Sequence, residues 1–249
     1  MIDSHIHLTS EQYSEDLDEV IKNAKELGVE AVVLIGCDEE GIDKSRVLAK
    51  TDDFFFLAVG WHPVDASSFK GLDKIIDCIK NDNVVALGEM GLDYHWYPEE
   101  KEKQIEIFRK QIELAQAHNL PIIVHSRESN DDCLEILREY APIKGVVHSF
   151  SGDGELAMEF IGIGMEIGIS GPITFKNGHL QKDVARLVPL DKIHLETDGP
   201  YLTPMPFRGK RNRPEYIKYV AEEIARQKNI DVDIVIKQAT INTKRLFNI

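Results

Sequence analysis

Eight short apolar runs recur along the chain with amphipathic stretches between them, at 2–7, 31–36, 54–60, 84–88, 121–125, 145–148, 165–170 and 192–197. This alternation constrains the fold more than any other feature. Several of the runs are almost continuously apolar, as expected of strands buried on both faces of a parallel sheet. Between them the period changes. Leu17, Val20, Ile21, Ala24 and Leu27 recur at helical spacing, and Gly28 follows as a stop. Pro98 with Glu99, Glu100 and Glu102 makes a helix start, because carboxylates suit the positive end of a helix dipole. Ile105, Phe108, Ile112 and Ala115 continue that helix on one face.

Strands alternating with helices predict the α/β class, here a (β/α)8 TIM barrel, and 249 residues suit one such barrel. A doubly wound open sheet is the alternative. Its usual signals, GxGxxG or GxxxxGK[ST] after the first strand, are missing. No repeat, low-complexity segment or linker divides the chain, so one domain over 1–249 is expected. Beyond the eighth run come a loop at 199–214 and helical stretches at 215–228 and 232–247, more than a barrel requires.

Composition narrows the setting. Apolar residues make up 43% and charged residues 29%, a soluble globular profile. No apolar run approaches the roughly 20 residues that span a bilayer, and the N-terminus has no secretory pattern. Cys37, Cys78 and Cys133 are far apart and read as free thiols in a reducing compartment. A cytoplasmic monomer without a membrane partner is expected. The formal net charge of −14 argues against broad binding to duplex nucleic acid, which needs a positive surface. A small site that recognises one phosphodiester through metal ions remains open, since a bound divalent pair reverses the local field.

The polar residues at the ends of the runs carry the chemistry. His5 and His7 stand two apart in the first run, so a strand points both imidazoles to one side. Glu89 follows the fourth run, His125 ends the fifth, His148 ends the sixth and Asp198 follows the eighth. In a barrel the C-terminal strand ends converge on one face, where active sites lie. Six nitrogen and oxygen ligand candidates would meet there. Mixed imidazole and carboxylate ligands suit Zn²⁺, Mn²⁺ or Mg²⁺, and no thiolate is in the set.

Other residues fall near the same face. His62 follows the third run and is expected to contact a substrate phosphate or support a ligand. Asp93 and Tyr94, just past Glu89, could orient it or line the pocket. Glu196 shares the parity of Asp198 and is expected to be a buried supporting carboxylate. Arg208, Lys210, Arg211 and Arg213 form a basic cluster in the loop after the eighth run, and Arg127 lies two past His125. These five are the phosphate-binding candidates. Trp61 and Tyr201 lie near the expected rim, where they could stack on a base or simply pack. His95, His118, His179 and His194 carry no signal of their own.

The ordered segments Ile-Asp-Ser-His-Ile-His-Leu (2–8), Val-Gly-Trp-His-Pro (59–63), Gly-Glu-Met-Gly-Leu-Asp-Tyr (88–94), Pro-Ile-Ile-Val-His-Ser-Arg (121–127), His-Ser-Phe-Ser-Gly (148–152) and Leu-Glu-Thr-Asp-Gly-Pro-Tyr-Leu (195–202) resemble the TatD family of metal-dependent deoxyribonucleases, in the amidohydrolase superfamily. Arg-Gly at 208–209, Asn212-Arg213-Pro214 and the 242–247 segment extend the resemblance over nearly the whole chain. It implies two divalent metal ions bridged by Glu89, one held also by His5, His7 and Asp198, the other by His125 and His148. Many superfamily relatives bridge their ions with a carboxylated lysine, which Glu89 replaces here.

The same resemblance implies hydrolysis of DNA phosphodiesters as a 3′→5′ exonuclease on single-stranded or frayed ends. Asp198 and Glu89 are then the catalytic candidates, with His62 beside them. Asp198 could take the proton of the attacking water, or serve as a ligand only. Two other readings stand beside this one. The site could cleave another bond: an RNA phosphodiester, an aminoacyl ester on tRNA, a phosphotriester or a cyclic amide. A non-catalytic binding protein is the third, although it would be expected to have lost a ligand.

Overall fold

The protein is described by a computed structural model covering residues 1–249. Strands β1 (Ile2–Ile6), β2 (Ala31–Gly36), β3 (Phe55–Val59), β4 (Val84–Asp93), β5 (Ile122–Arg127), β6 (Gly145–Val147), β7 (Met165–Ile169) and β8 (Ile193–Leu195) form one eight-stranded parallel sheet in sequence order. The edges meet. Asp198 N–H donates to His5 O at 3.0 Å, His7 N–H to Gly199 O at 2.8 Å, and Ser4 Oγ to Leu195 O at 3.0 Å. The sheet is thus a nearly closed TIM barrel.

Each strand is followed by a helix: α1 (Leu17–Glu26), α2 (Glu39–Leu48), α3 (Asp73–Asn81), α4 (Lys101–Ala117), α5 (Asn130–Glu139), α6 (Gly154–Gly162), α7 (His179–Leu187) and α8 (Ile217–Lys228). The additional α9 (Val232–Phe247) packs against β8 and β1. Its start is set by Asp231, whose carboxylate accepts from Asp233 N.

Strand parity divides the core. Val32 and Leu34 face the helices with the large outer cluster, whereas Val33 and Ile35 point inward and pack with Ala58, Ala86, Ile123 and Val146. Phe247 of α9 joins this inner cluster. The inward parity of β7 and β8 is polar: Glu166, Gly168, His194 and Glu196 lie between outward-facing Ile167 and Leu195.

The structure moves several element ends. Pro98–Glu100 is a 3-10 turn and α4 starts at Lys101. A similar turn at Pro214–Tyr216 precedes α8. β4 runs on to Asp93, past the expected end at 88. Its register against β5 shifts between Leu87 and Met90. Gly91 then adopts φ +141°, and a Cβ there would collide with the His125 carbonyl oxygen. A glycine therefore lets β4 run tight against β5 and carry both Glu89 and Asp93. Conversely β8 ends at Leu195, so Asp198 sits in the following loop. It adopts φ +57°, a conformation aspartate tolerates better than most residues.

Candidate metal centre

All six residues expected as ligands converge at the C-terminal end of the barrel. Glu89 is buried at their middle, and its two oxygens face different sets. Oε2 lies 3.3 Å from His5 Nε2 and 3.5 Å from His7 Nε2. Oε1 lies 2.8 Å from His125 Nδ1, 2.9 Å from His148 Nε2 and 3.4 Å from His62 Nε2. Asp198 Oδ1 closes the first set, 3.7 Å from His5 Nε2 and 3.5 Å from His7 Nε2.

The first set has the spacing of a coordination shell. His5 Nε2 and His7 Nε2 are 3.3 Å apart. Ligand atoms at about 2.0–2.2 Å from a tetrahedral ion are separated by roughly 3.3–3.6 Å, close to every distance in this set. Two ring nitrogens at that separation can form only one weak hydrogen bond, whereas both lone pairs are satisfied by one cation. In the second set His125 Nδ1 makes a hydrogen bond to Glu89 Oε1 at 2.8 Å and His148 Nε2 lies at ion-pair distance, 2.9 Å, from the same oxygen, the arrangement in which protons take the place of a cation.

The electrostatics agree. Burial disfavours charge on every group here. It pushes Glu89 up, yet His148, His62 and His5 around it hold the carboxyl well below the usual range. Burial likewise opposes charge on His148, but Glu89 and Glu196 raise it well above an ordinary imidazole. Asp93 and Glu89 raise His125 against the same cost, and Asp198 and Glu89 raise His7. His5 is pushed down by burial and by His148. The site attracts positive charge, so protons and divalent ions compete for it.

A layer of carboxylates lies behind the ligands. Asp93 Oδ2 accepts from His125 Nε2 at 2.9 Å, which leaves Nδ1 for the site. Glu196 is fully buried, 3.5 Å from His148 Nδ1, and its Oε1 accepts from Ser149 N–H. Gly168 makes room for it, because a Cβ on Gly168 would strike the Glu196 carboxylate. Sequence reading missed Asp3. Its carboxyl, pushed up to about 8 by burial, bonds Thr197 N at 2.9 Å and Thr197 Oγ1 at 2.5 Å. It ties β1 to the segment that carries Asp198. The signal was its parity with His5 and His7 in β1.

His62 comes within reach of the ligands. Its Nδ1 accepts from Val64 N–H at 3.2 Å, so the neutral ring carries its proton on Nε2, the atom facing Glu89. That makes His62 a hydrogen-bond donor into the site. Burial lowers its affinity for a second proton.

Other expectations shift. Tyr94 turns away, its hydroxyl bonding Asp132 Oδ2 at 2.6 Å. Trp61 is 4% exposed, packs on Phe69 and donates Nε1–H to Asp65 O, so it is a packing residue. Tyr201 is 53% exposed and lies beside His7, as a rim residue. The basic cluster is split. Arg211 makes a two-pronged ion pair with Asp16 and lies over the Tyr13 ring, and Arg213 reaches the same carboxylate at 3.4 Å. Both tie the loop to the segment between β1 and α1, so their charge is already balanced by Asp16, against their expected phosphate role. Arg208 and Lys210 remain exposed, resting on Phe175 and Phe207. Arg127 is exposed and lines the cavity of about 1010 Å³ that holds the site.

Residues 2–248 match the family model described as TatD related DNase. A Bacillus subtilis protein named as an uncharacterized metal-dependent hydrolase, YabD, is 44% identical, with 100% of this chain and 99% of that protein covered. The 3′-5′ ssDNA/RNA exonuclease TatD of Erwinia billingiae is 29% identical over 100% and 99% of the two chains. Among solved structures, the TatD homologue YjjV of Escherichia coli K12 superposes with a TM-score of 0.95 at 29% identity, covering 100% of this chain and 98% of that one. The chain belongs to the TatD family of metal-dependent hydrolases.

Proposed function

We propose that this chain is a two-metal phosphodiesterase that removes nucleotides from the 3′ end of single-stranded or frayed DNA. It would act as a cytoplasmic monomer of one domain, residues 1–249. The observation that carries the reading is the division of Glu89, whose two oxygens each face their own set of imidazole nitrogens. His5, His7 and Asp198 would hold one ion, His125 and His148 the other, with Glu89 shared. Mg²⁺, Mn²⁺ and Zn²⁺ all suit these donors. Such a pair lowers the cost of making a water nucleophilic and balances charge on the phosphate oxygens.

The chain's own residues do the rest. Burial raises the Asp198 carboxyl, but the His7 hydrogen bond and the charges of His148 and His5 bring it below its ordinary range. It is ionised at neutral pH and can accept the proton of the attacking water. His62 Nε2–H can donate to a non-bridging phosphate oxygen. The Erwinia relative's name supports a single-stranded nucleic acid and the 3′→5′ direction. No helix is long and apolar enough to cross a membrane.

Arg208 and Lys210 favour a polyanion over a small neutral substrate, because the fold leaves both cations exposed while Arg211 and Arg213 are paired. The double variant R208Q/K210Q should raise KM on a labelled single-stranded oligonucleotide about tenfold with Mn²⁺ present. It should also flatten the dependence of log KM on log salt by up to about two contacts. An unchanged salt slope would remove these residues from the substrate path. Intact oligonucleotide after incubation of wild-type protein with Mg²⁺ or Mn²⁺ would overturn the nuclease reading itself.

A further inference from the structure

The cavity around the metal centre has two unlike halves. The loops after β1, β2 and β3 present Glu11, Asp38, Glu40 and Asp65, and the one lysine there, Lys44, is paired with Glu40 at 2.6 Å. The opposite half, after β4, β5 and β6, presents Trp96, Tyr97, Arg127, Ser149 and Ser151, with no carboxylate beyond those of the site itself. A strand of phosphates is repelled by the first half and accepted by the second.

Within the accepting half, Trp96 is 60% exposed. An indole left this open loses solvation free energy that packing would have recovered, and the fold does not cover it. The Arg127 guanidinium lies 5.4 Å from the ring centroid, a cation–π contact, and no carboxylate neutralises it. The His95 ring meets the indole edge-on at 4.9 Å between centroids, and the rest of the exposed indole lines the cavity.

The pair is held in fixed relation to the metal centre. Asp93 Oδ1 accepts from Trp96 N–H at 3.0 Å, while Oδ2 of the same carboxylate holds His125. Arg127 follows His125 by two residues on β5, in register with Asp93 on β4. One carboxylate thus sets the distance from the aromatic platform to a metal-site imidazole.

We infer that Trp96 and Arg127 form the subsite for the nucleotide next to the scissile phosphate, with its base stacked on the indole and its phosphate at the guanidinium. The inference rests on the nuclease reading above and adds to it which half of the rim the strand crosses. Stacking needs a free base face, so the subsite selects unpaired nucleotides and tolerates any base.

The test compares two oligonucleotides, one intact and one abasic at the nucleotides flanking the first scissile bond, on wild type, W96A and W96F with Mn²⁺. Wild type should show a KM about tenfold lower for the intact strand. In W96A that preference should fall to within about twofold, with the loss in KM and not in kcat, and W96F should restore most of it. The indole is exposed, so W96A should fold. A wild type indifferent to the missing bases, or a W96A protein that keeps the full preference, overturns the subsite and leaves the nuclease reading standing. A wild type that cleaves neither strand overturns both.

Discussion

Glu89→Ala should lose both metal ions and about 10³-fold or more of phosphodiesterase activity while keeping the fold. The loss is large because one side chain serves both halves of the site. Its Oε2 belongs to the His5 and His7 set and its Oε1 to the His125 and His148 set. Two-metal stabilisation supplies several kcal/mol of transition-state binding, and each 1.36 kcal/mol is tenfold in rate. Without the carboxylate, His125, His148 and His7 also lose one of the two negative charges that raise each of them, so the cluster holds cations less strongly. The fold should survive, because the outer core between strands and helices does not include Glu89. Metal analysis and oligonucleotide turnover read the two effects. A variant that keeps two ions per chain would contradict the bridging assignment.

Glu166→Ala should cost stability instead, about 1–3 kcal/mol in urea unfolding, the usual cost of leaving a buried polar group, here His194, without its partner. Glu166 points into the barrel from β7. His194 Nε2 meets its Oε2 at 2.8 Å, Arg245 Nη2 reaches both oxygens at 2.9 and 2.7 Å, and Lys192 Nζ lies at 3.1 Å. His194 also bonds Thr243 Oγ1 at 3.1 Å. The network therefore joins β7 and β8 to α9, and alanine leaves the buried His194 without its carboxylate. Burial raises the Glu166 carboxyl, but His194, Lys192 and Arg245 together bring it below the usual range. A lowered value in the fold means stability that is present above the ordinary glutamate range and lost as the pH falls through the folded value. The stability gap between wild type and E166Q should be full at pH 7 and close below about pH 4. A gap that does not change with pH would show that Glu166 acts by packing alone.

The barrel is legible because two periodicities alternate so regularly, and the convergence of the candidate ligands because strand ends have a known destination. His5 and His7 needed only the period of two. Glu196 and Asp3 follow from the same parity, although only Glu196 was singled out, since it stands two from an obvious ligand. What sequence order could not convey was pairing across the fold. Arg211 and Arg213 read as a phosphate cluster until Asp16, nearly two hundred residues earlier, is brought beside them. With 43 acidic residues in the chain, nothing local identifies that partner. The two tryptophans pose the same problem. Trp61 and Trp96 each follow a strand end, but the loop after β3 folds back on α4, where Gln111 bonds the Trp61 backbone, and buries it. The loop after β4 leaves Trp96 in solvent. His62 faces the cavity, as its place after the third run implies, while its tautomer depends on the Val64 N–H that a helical turn supplies.

The most direct test of the account is anomalous scattering from crystals of the wild-type protein grown with Mn²⁺. It should show two peaks about 3.5–4 Å apart, the spacing of a two-metal hydrolase. One should lie among His5, His7 and Asp198 and the other between His125 and His148, with Glu89 between them. A single peak, or two that do not share Glu89, would contradict it.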